Sequence, residues 1–396
     1  MSRLVLKICG SVWKNANRDK REMAVYRELG ERVLILVKGE NSDKGRKDEV
    51  DGFEVHRYST KPLGNGAPKF FNQILSLFVW AKYARSLHPD VISGHDLPGL
   101  TIGWISTWFQ KRKPLLIYDS HEFEIGRNAK RNRFQRWFVR NYEKYMMKKC
   151  TLSIMVNDII ADEVTRIHKL KTRPIVVRST PDNWEIDERV CIKVREGLFG
   201  QFHANGCEMC DGKEKFLIMY HGILTTDRGI EALIEVVSVN PNLCGIILGN
   251  GREEYVKTIR EMVVHNNVED RILFHEAVDI SELWKYVGAA DLSLMMIQGN
   301  NKSYYYSLPN KFFESIQSLT PIVASDFPEM KKIIDKYEIG LTCSSKNIRD
   351  INDCVEKMRI DTAFYDRCRK NIIKAKEELC WENEKQVLIK AYRNMF

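Results

Sequence analysis

Apolar residues in this chain fall into short blocks, separated by longer stretches in which they recur every third or fourth place. The blocks at 4–8, 32–37, 53–58, 91–93, 115–118, 152–156 and 175–177 predict strands in the first half. Between them, 18–29 predicts a helix closed by Gly30, and 101–109 predicts an apolar helix. The stretch 70–87 predicts a third helix, with Phe71, Ile74, Leu75, Phe78, Val79 and Tyr83 in one broad stripe and Pro89 to stop it. The second half repeats the rhythm, with strands at 216–220, 243–248, 272–274, 292–296 and 322–324. Helices are predicted there at 229–237, 253–265, 281–287 and 310–319. Residues 180–213 show no strand pattern and hold Pro181, Gly200, Gly206 and Gly212, so a linker is expected.

Strands alternating with helices predict an α/β fold built on open parallel sheets. The 396 residues exceed one ordinary core and imply two such domains. Two similar domains joined by a hinge imply a cleft for a small molecule, and open parallel sheets bind ligands beyond their strands' carboxyl ends.

Composition changes this picture little: 44% hydrophobic and 29% charged residues describe an ordinary globular chain. No apolar run reaches the roughly 18 residues of a transmembrane helix. The first strand follows the N-terminus without a signal-peptide pattern, and the ten cysteines are scattered, so they are expected as reduced thiols in a cytoplasmic protein. Cys207-Glu208-Met209-Cys210 is a lone C-x-x-C without a second ligand pair, and no metal is expected.

The net charge of +9 is uneven. Residues 127–149 carry Arg127, Lys130, Arg131, Arg133, Arg136, Arg140, Lys144, Lys148 and Lys149, interleaved with Phe134, Trp137, Phe138, Tyr142 and Tyr145. Their spacing predicts a basic amphipathic helix. Either it lies on an anionic membrane surface, or its aromatics pack on the domain core while its cations face water. Nucleic acid is the third option, but no recognised nucleic-acid module accompanies the patch.

Candidate chemistry gathers where strands end. Leu308-Pro309-Asn310-Lys311-Phe312-Phe313-Glu314 opens a helix, with Pro309 suited to its first helical position. Free N–H groups there, with Lys311 beside them, form a seat for phosphate. Glu314, one turn on, can accept hydrogen bonds from ribose hydroxyls. His221-Gly222 and Gly249-Asn250-Gly251 follow two further strands, and glycine lets a backbone approach a ligand closely. Arg228 opens the helix between them, where a guanidinium can grip a pyrophosphate. In the first half, His95 and His121 follow strand ends and can bond a sugar hydroxyl or move a proton.

Taken in order, these motifs resemble the retaining glycosyltransferases of the GT-B fold, family 4. His221-Gly222 with Arg228-Gly229-Ile230, the Gly249-Asn250-Gly251 turn, and Leu308 to Glu314 followed by Pro321 to Asp326 look like that family's nucleotide-sugar site. Asp90 with His95-Asp96-Leu97, and Asp119 to Glu122, are similar to its two histidine-bearing loops; Trp381-Glu382 and Tyr392 resemble its closing helix. The resemblance implies two Rossmann-like α/β domains facing across a cleft: residues 1–182 on the acceptor side, 183–375 on the donor side, and 376–396 a helix returning to the first domain.

It further implies transfer of a sugar from a nucleotide-diphosphate sugar with retention, without metal or cofactor, in agreement with the absence of any D-x-D triplet. Glu314 would hold the ribose, Arg228 and Lys311 would neutralise the leaving pyrophosphate, and His121 would contact the sugar from across the cleft. Gly222, Gly249, Gly251, Leu308, Pro309, Asn310 and His95 are the expected substrate contacts, with Gly10 on the acceptor side. Tyr306 stands where the family commonly places a first glutamate, and its contact to the sugar is expected to differ. The implied partners are the nucleotide sugar and a sugar or lipid-linked acceptor in cell-surface polysaccharide or glycolipid synthesis, with no nucleic acid. The expected location is the cytoplasm, or the inner face of the cell membrane. A nucleotide-sugar 2-epimerase and a catalytically silent scaffold subunit are the alternatives.

Overall fold

The structure, a computed structural model of the chain, describes residues 2–11, 13, 17–40, 42–128, 130–207 and 215–396. Cys210, the second cysteine of the C-x-x-C, lies outside the described residues. The chain divides into two compact units, one made of Met1–Arg178 with Lys385–Phe396, the other of Ser179–Glu384.

The first unit holds strands β1 (Leu4–Cys9), β2 (Arg32–Lys38), β3 (Lys44–Val50), β4 (Phe53–Tyr58), β5 (Val91–His95), β6 (Leu115–Ser120), β7 (Leu152–Met155) and β8 (Ile175–Val176). They form one sheet in the order β3-β4-β2-β1-β5-β6-β7-β8. Only the β3–β4 pair is antiparallel. The central strands are apolar on both faces because helices cover both, as in β2, where Leu34 to Val37 are all buried. The chain leaves β1 toward β2 on one side and later returns to pair β5 on the other. The loops after β1 and β5 therefore diverge and leave a crevice at their carboxyl ends.

The second unit holds β9 (Phe216–His221), β10 (Leu243–Leu248), β11 (Ile272–His275), β12 (Leu292–Met295), β13 (Ile322–Ser325) and β14 (Gly340–Cys343). All pairs are parallel, in the order β11-β10-β9-β12-β13-β14, and the switch point lies between β9 and β12. Helix Ile230–Val239 buries Ile230, Leu233, Ile234 and Val237 in a core shared with Ile218, Ile247 and Leu294. Helix Asn310–Gln317 buries Phe312, Phe313 and Ile316 against Met295, Ile322 and Ala324. This burial fixes the helix's rotation and so which side Lys311 and Glu314 face.

Several expectations change. The stretch 180–213 is no plain linker: helix Glu188–Ala204, capped by Asp187, sends Leu198, Phe199 and Phe202 into a core with Leu217 and Met219. Gly197 and Gly200 lie on its exposed face. There each costs about 1 kcal/mol of helix propensity, which packing outweighs. Strand β3, LysGlyArgLysAspGluVal, was not expected because it is almost wholly polar. It is an edge strand whose charges face water and discourage further pairing. The helix expected at 101–109 runs over Asp96–Ser106, because Gly94 and Gly99 allow its first turn to lie against β1 and β5.

Only part of the broad stripe of helix Lys69–Ser86 packs inward: Val79 and Tyr83 are half-buried, the Tyr83 ring lying 4.6 Å from Tyr58. Trp80, Ala81 and Ala84 enter the core, while Phe71, Ile74, Leu75 and Phe78 stay exposed. The final helix, Trp381–Arg393, ends among first-unit residues, with the Tyr392 ring 4.6 Å from Tyr26.

Candidate functional site

In the second unit, the strand ends around the switch point bring together Arg228, Lys311, Glu314 and His221. Gly222 follows β9, and Gly249 follows β10 with φ +150°; a Cβ on Gly249 would lie 1.9 Å from the Gly222 carbonyl oxygen. Only glycine permits that approach, which lays the two turns side by side. Gly251 bridges Leu224 in the same way. Gly229 caps helix Ile230–Val239 with φ +88°, and a Cβ there would meet Met296 O at 2.5 Å. Arg228 is thereby set at the helix's entry.

Lys311 is buried, its ammonium 4.0 Å from the centre of the Tyr220 ring and 3.5 Å from Arg228 O. The Arg228 guanidinium lies 4.9 Å over the ring of Tyr304. Among the described residues neither cation forms an ion pair; aromatic faces, not carboxylates, support both. Burial, reinforced by repulsion from Arg228 and only partly offset by Glu314, lowers the Lys311 pKa to about 7. Glu314 sits 3.2 Å through Oε2 from Nε2 of the buried His221, whose Nδ1 meets no protein partner.

Pro309 caps helix Asn310–Gln317 and does not occupy its first helical position, which Asn310 takes. No side chain caps this end, so the N–H groups of Asn310 and Lys311 lack intrahelical acceptors. Leu308, buried, fixes the turn before it. Tyr306 follows the short helix Lys302–Tyr305, whose Asn301 cap binds the Tyr304 N–H at 2.8 Å and so fixes the ring beneath Arg228. The chemical capacity of this corner is plain: two unpaired cations and free helix N–H groups suit a diphosphate, with an acid one turn away.

The first unit brings His95 and His121 together, their ring centres 4.0 Å apart. His95 Nδ1 is 3.1 Å from both Asp19 oxygens, and His121 Nε2 is 2.8 Å from Asp119 Oδ2. Asp96 accepts the His121 backbone N–H at 2.9 Å. Beneath them lies a charge cluster that the sequence pattern missed. The fully buried Lys7 ammonium contacts Asp19 at 2.9 Å, Asp119 at 2.8 Å, and Glu22; Arg18 pairs with Asp119 at 2.9 Å. One signal was available: a lysine in the middle of an apolar strand.

Burial opposes charge throughout this cluster. It raises Glu22 to about 7 despite Lys7. Against burial, Lys7 with the two histidines holds Asp19 low, and Arg18 with Lys7 holds Asp119 low. His95 is raised: burial opposes this, but the hydrogen bond to Asp19 and the charges of Asp19 and Asp96 together outweigh it. Asp19, Asp119 and His121 lie close enough to hold a metal, as do Cys9, Asp19 and His95. Lys7 already supplies the positive charge between the carboxylates. Gly10 follows β1, and a Cβ there would point into open space.

A model of the group 1 glycosyl transferases matches residues 211–375, and one of glycosyltransferase family 4 matches 24–180. No curated protein sequence matches the chain significantly. Among solved structures, it is similar to sucrose-phosphate synthase of Thermosynechococcus elongatus (TM-score 0.76, 15% identity, 100% of this chain and 99% of that one). It is also similar to HepE of Anabaena in complex with UDP and glucose (0.73, 15%, 99% of each chain). A third is the lipopolysaccharide outer core galactosyltransferase WaaB (0.68, 10%, 99% of this chain and 100% of that one). At these identities the likeness is one of fold.

Proposed function

Because this chain belongs to the GT-B glycosyltransferases, its two halves matching family 4 and group 1, we propose that it transfers a sugar from a nucleoside-diphosphate sugar to an acceptor hydroxyl with retention. The observation that carries the reading is the pair of cations, Arg228 and Lys311, backed by aromatic faces and free of ion pairs among the described residues. A diphosphate would complete that charge balance. As the bond from sugar C1 to the phosphate oxygen breaks, the two cations and the helix N–H groups would stabilise the departing charge. The acceptor oxygen would bond C1 on the same face and pass its proton to the leaving phosphate, so no side-chain base or metal would be required. Glu314 would take the ribose hydroxyls through the oxygen His221 leaves open. His121, oriented by Asp119, could bond a sugar hydroxyl.

The test compares transfer by the wild type with Glu314→Ala and Lys311→Ala. Each variant is expected to lose activity by about a hundredfold or more, as when a preorganised charge-stabilising group is removed. Full activity in both would sink the assignment. Sugar analysis without an acceptor separates transfer from epimerisation. A thermal-shift series over uridine, guanosine and adenosine diphosphates and their sugars identifies the base.

Tyr304 gives a finer check. Tyr304→Leu removes the ring under Arg228 and is expected to raise the KM for the nucleotide sugar about fivefold, while Tyr304→Phe stays near wild type. Equal KM values for both replacements would show that the ring does not support the guanidinium.

For the acceptor, the reading is a lipid-linked or membrane-borne sugar at an anionic surface. The basic helix runs over Arg133–Met147 and packs inward through Met146 and Met147, and of its aromatics through the half-buried Tyr142, 2.8 Å from the Thr101 hydroxyl. Phe134, Trp137, Phe138 and Tyr145 stay exposed. Its single carboxylate, Glu143, is buried between Tyr118 and His168.

A further inference from the structure

We propose that the first unit carries a two-helix lipid-facing platform in which helix Lys69–Ser86 enters an anionic bilayer beside the basic helix Arg133–Met147. The proposal rests on the membrane reading of the basic helix and adds a second, apolar element to it. Phe71, Ile74, Leu75 and Phe78 lie one turn apart along a single stripe of the helix. With Phe70, they expose between 36% and 65% of their surface. A water-facing helix in a folded unit does not ordinarily present such a stripe.

The two helices share one aromatic surface. Both pack on helix Asp96–Ser106. Phe78 meets Trp108 at 6.3 Å, Trp108 meets Trp104 at 5.0 Å, and Trp104 meets Tyr145 of the basic helix at 5.7 Å. Phe109, next to Trp108 in the chain, is 94% exposed.

Charge selects the occupant. Helix Lys69–Ser86 contains no acidic residue, and neither does the segment 104–113, which ends Lys111-Arg112-Lys113. The basic helix adds Arg133, Arg136, Arg140 and Lys144, and its one glutamate is buried. A second copy of this chain would bring the same cations against themselves. An anionic lipid surface meets both features, with cations at the headgroups and rings at the acyl boundary. The platform also connects to the histidine loop. Arg127 pairs with Asp96 at 3.3 Å, and Asp96 holds the His121 backbone; Arg131 pairs with Glu124 at 2.8 Å. A lipid-linked acceptor would thus reach the His95–His121 pair from the surface to which the platform binds.

The test uses the full chain with vesicles of phosphatidylcholine alone or mixed with phosphatidylglycerol. It compares the wild type with Phe70→Ser/Phe71→Ser/Phe78→Ser and Arg133→Glu/Arg136→Glu/Arg140→Glu. The replaced side chains are exposed, and circular dichroism checks that each variant stays folded. Wild-type binding is expected to require phosphatidylglycerol and to persist in part at about 0.5 M salt, where surface charges are screened within roughly 4 Å. The serine variant is expected to bind at least a hundredfold more weakly, from roughly tenfold per half-buried ring. What binding remains should vanish in salt.

Wild-type affinity in the serine variant, with loss only in the charge-reversed one, would overturn the platform while leaving the basic helix as the membrane contact. Unchanged binding in both variants, or no wild-type binding, would overturn both. A wild-type dimer dispersed by the serine substitutions would assign the face to a second copy and overturn the proposal.

Discussion

Replacing Lys311 with methionine is expected to abolish nucleotide-sugar binding and, at the same time, to make the ligand-free protein more stable. Both effects follow from burying a lysine where no carboxylate pairs with it. The folded-state pKa of about 7 lies below that of an ordinary lysine, so folding disfavours the proton. Above pH ~10.5 the residue is neutral in both states and costs nothing. As pH falls from there to 7, the unfolded chain takes up a proton that the folded chain refuses, and the folded state loses up to about 4 kcal/mol. Methionine has a similar shape without the charge. Urea unfolding should show Lys311→Met gaining stability over the wild type from pH 10 down to 7, with no gap at pH 11. A variant less stable than wild type at pH 7 would refute the account.

The same linkage governs binding. A nucleotide-sugar diphosphate has no group of its own titrating near neutrality, so any proton taken up comes through the protein. If binding requires the charged ammonium, about half a proton enters at pH 7 and nearly a whole one at pH 8. Calorimetry in buffers of different ionisation enthalpy reads this directly. Apparent affinity should weaken roughly tenfold between pH 6 and pH 8. On that reading the arrangement would trade stability of the empty site for affinity toward an anion that favours the protonated lysine.

How much of this the sequence shows depends on what each element needs. Strands buried on both faces, such as β2 and β10, are legible because their residues are apolar regardless of partner. The place of Arg228, Gly249, Lys311 and Glu314 is legible too, since they sit at strand ends and helix starts that periodicity alone places. Periodicity does not say which stripe faces the core. In helix Lys69–Ser86 the wider apolar stripe lies outside, and the smaller Trp80-Ala81-Ala84 face packs inward against a close neighbour. Strand β3 is illegible because its pairing comes from β4 and its side chains are almost all charged, held by ion pairs such as Asp48 with Arg57 of β4 and not by an apolar face. The Lys7 cluster is illegible for another reason. Its members, Lys7, Arg18, Asp19, Glu22 and Asp119, come from three separate elements, and only the β1–β5–β6 order makes them neighbours.

Lys7→Met should do the opposite of Lys311→Met. Lys7 lies among Asp19, Glu22 and Asp119, all buried, and deleting its charge leaves three carboxylates with Arg18 as the main remaining cation. Breaking a buried ion pair by removing one partner costs about 3–5 kcal/mol, so melting of the first unit should fall by about 10 °C or more. Glu22→Gln added to Lys7→Met should recover part of that loss. Burial already holds Glu22 near pKa 7, and glutamine imitates its protonated form. A double variant less stable than Lys7→Met alone would show that packing, not charge, sets the cost.

The pH dependence gives a second reading. The folded pKa of Glu22 is raised above its unfolded value, so its contribution is complete below pH ~4.5 and lost as pH rises through 7. The wild type should therefore gain up to about 3 kcal/mol more than Glu22→Gln between pH 8 and pH 5, the raised His95 and the lowered Lys311 acting alike in both proteins. Asp19 and Asp119 are held low and would oppose this only in stronger acid. These two carboxylates also orient His95 and His121, so a Lys7 variant rescued in stability by Glu22→Gln still has to be tested for transfer. Recovered folding without recovered turnover would place the lysine among the groups that set the histidines' geometry.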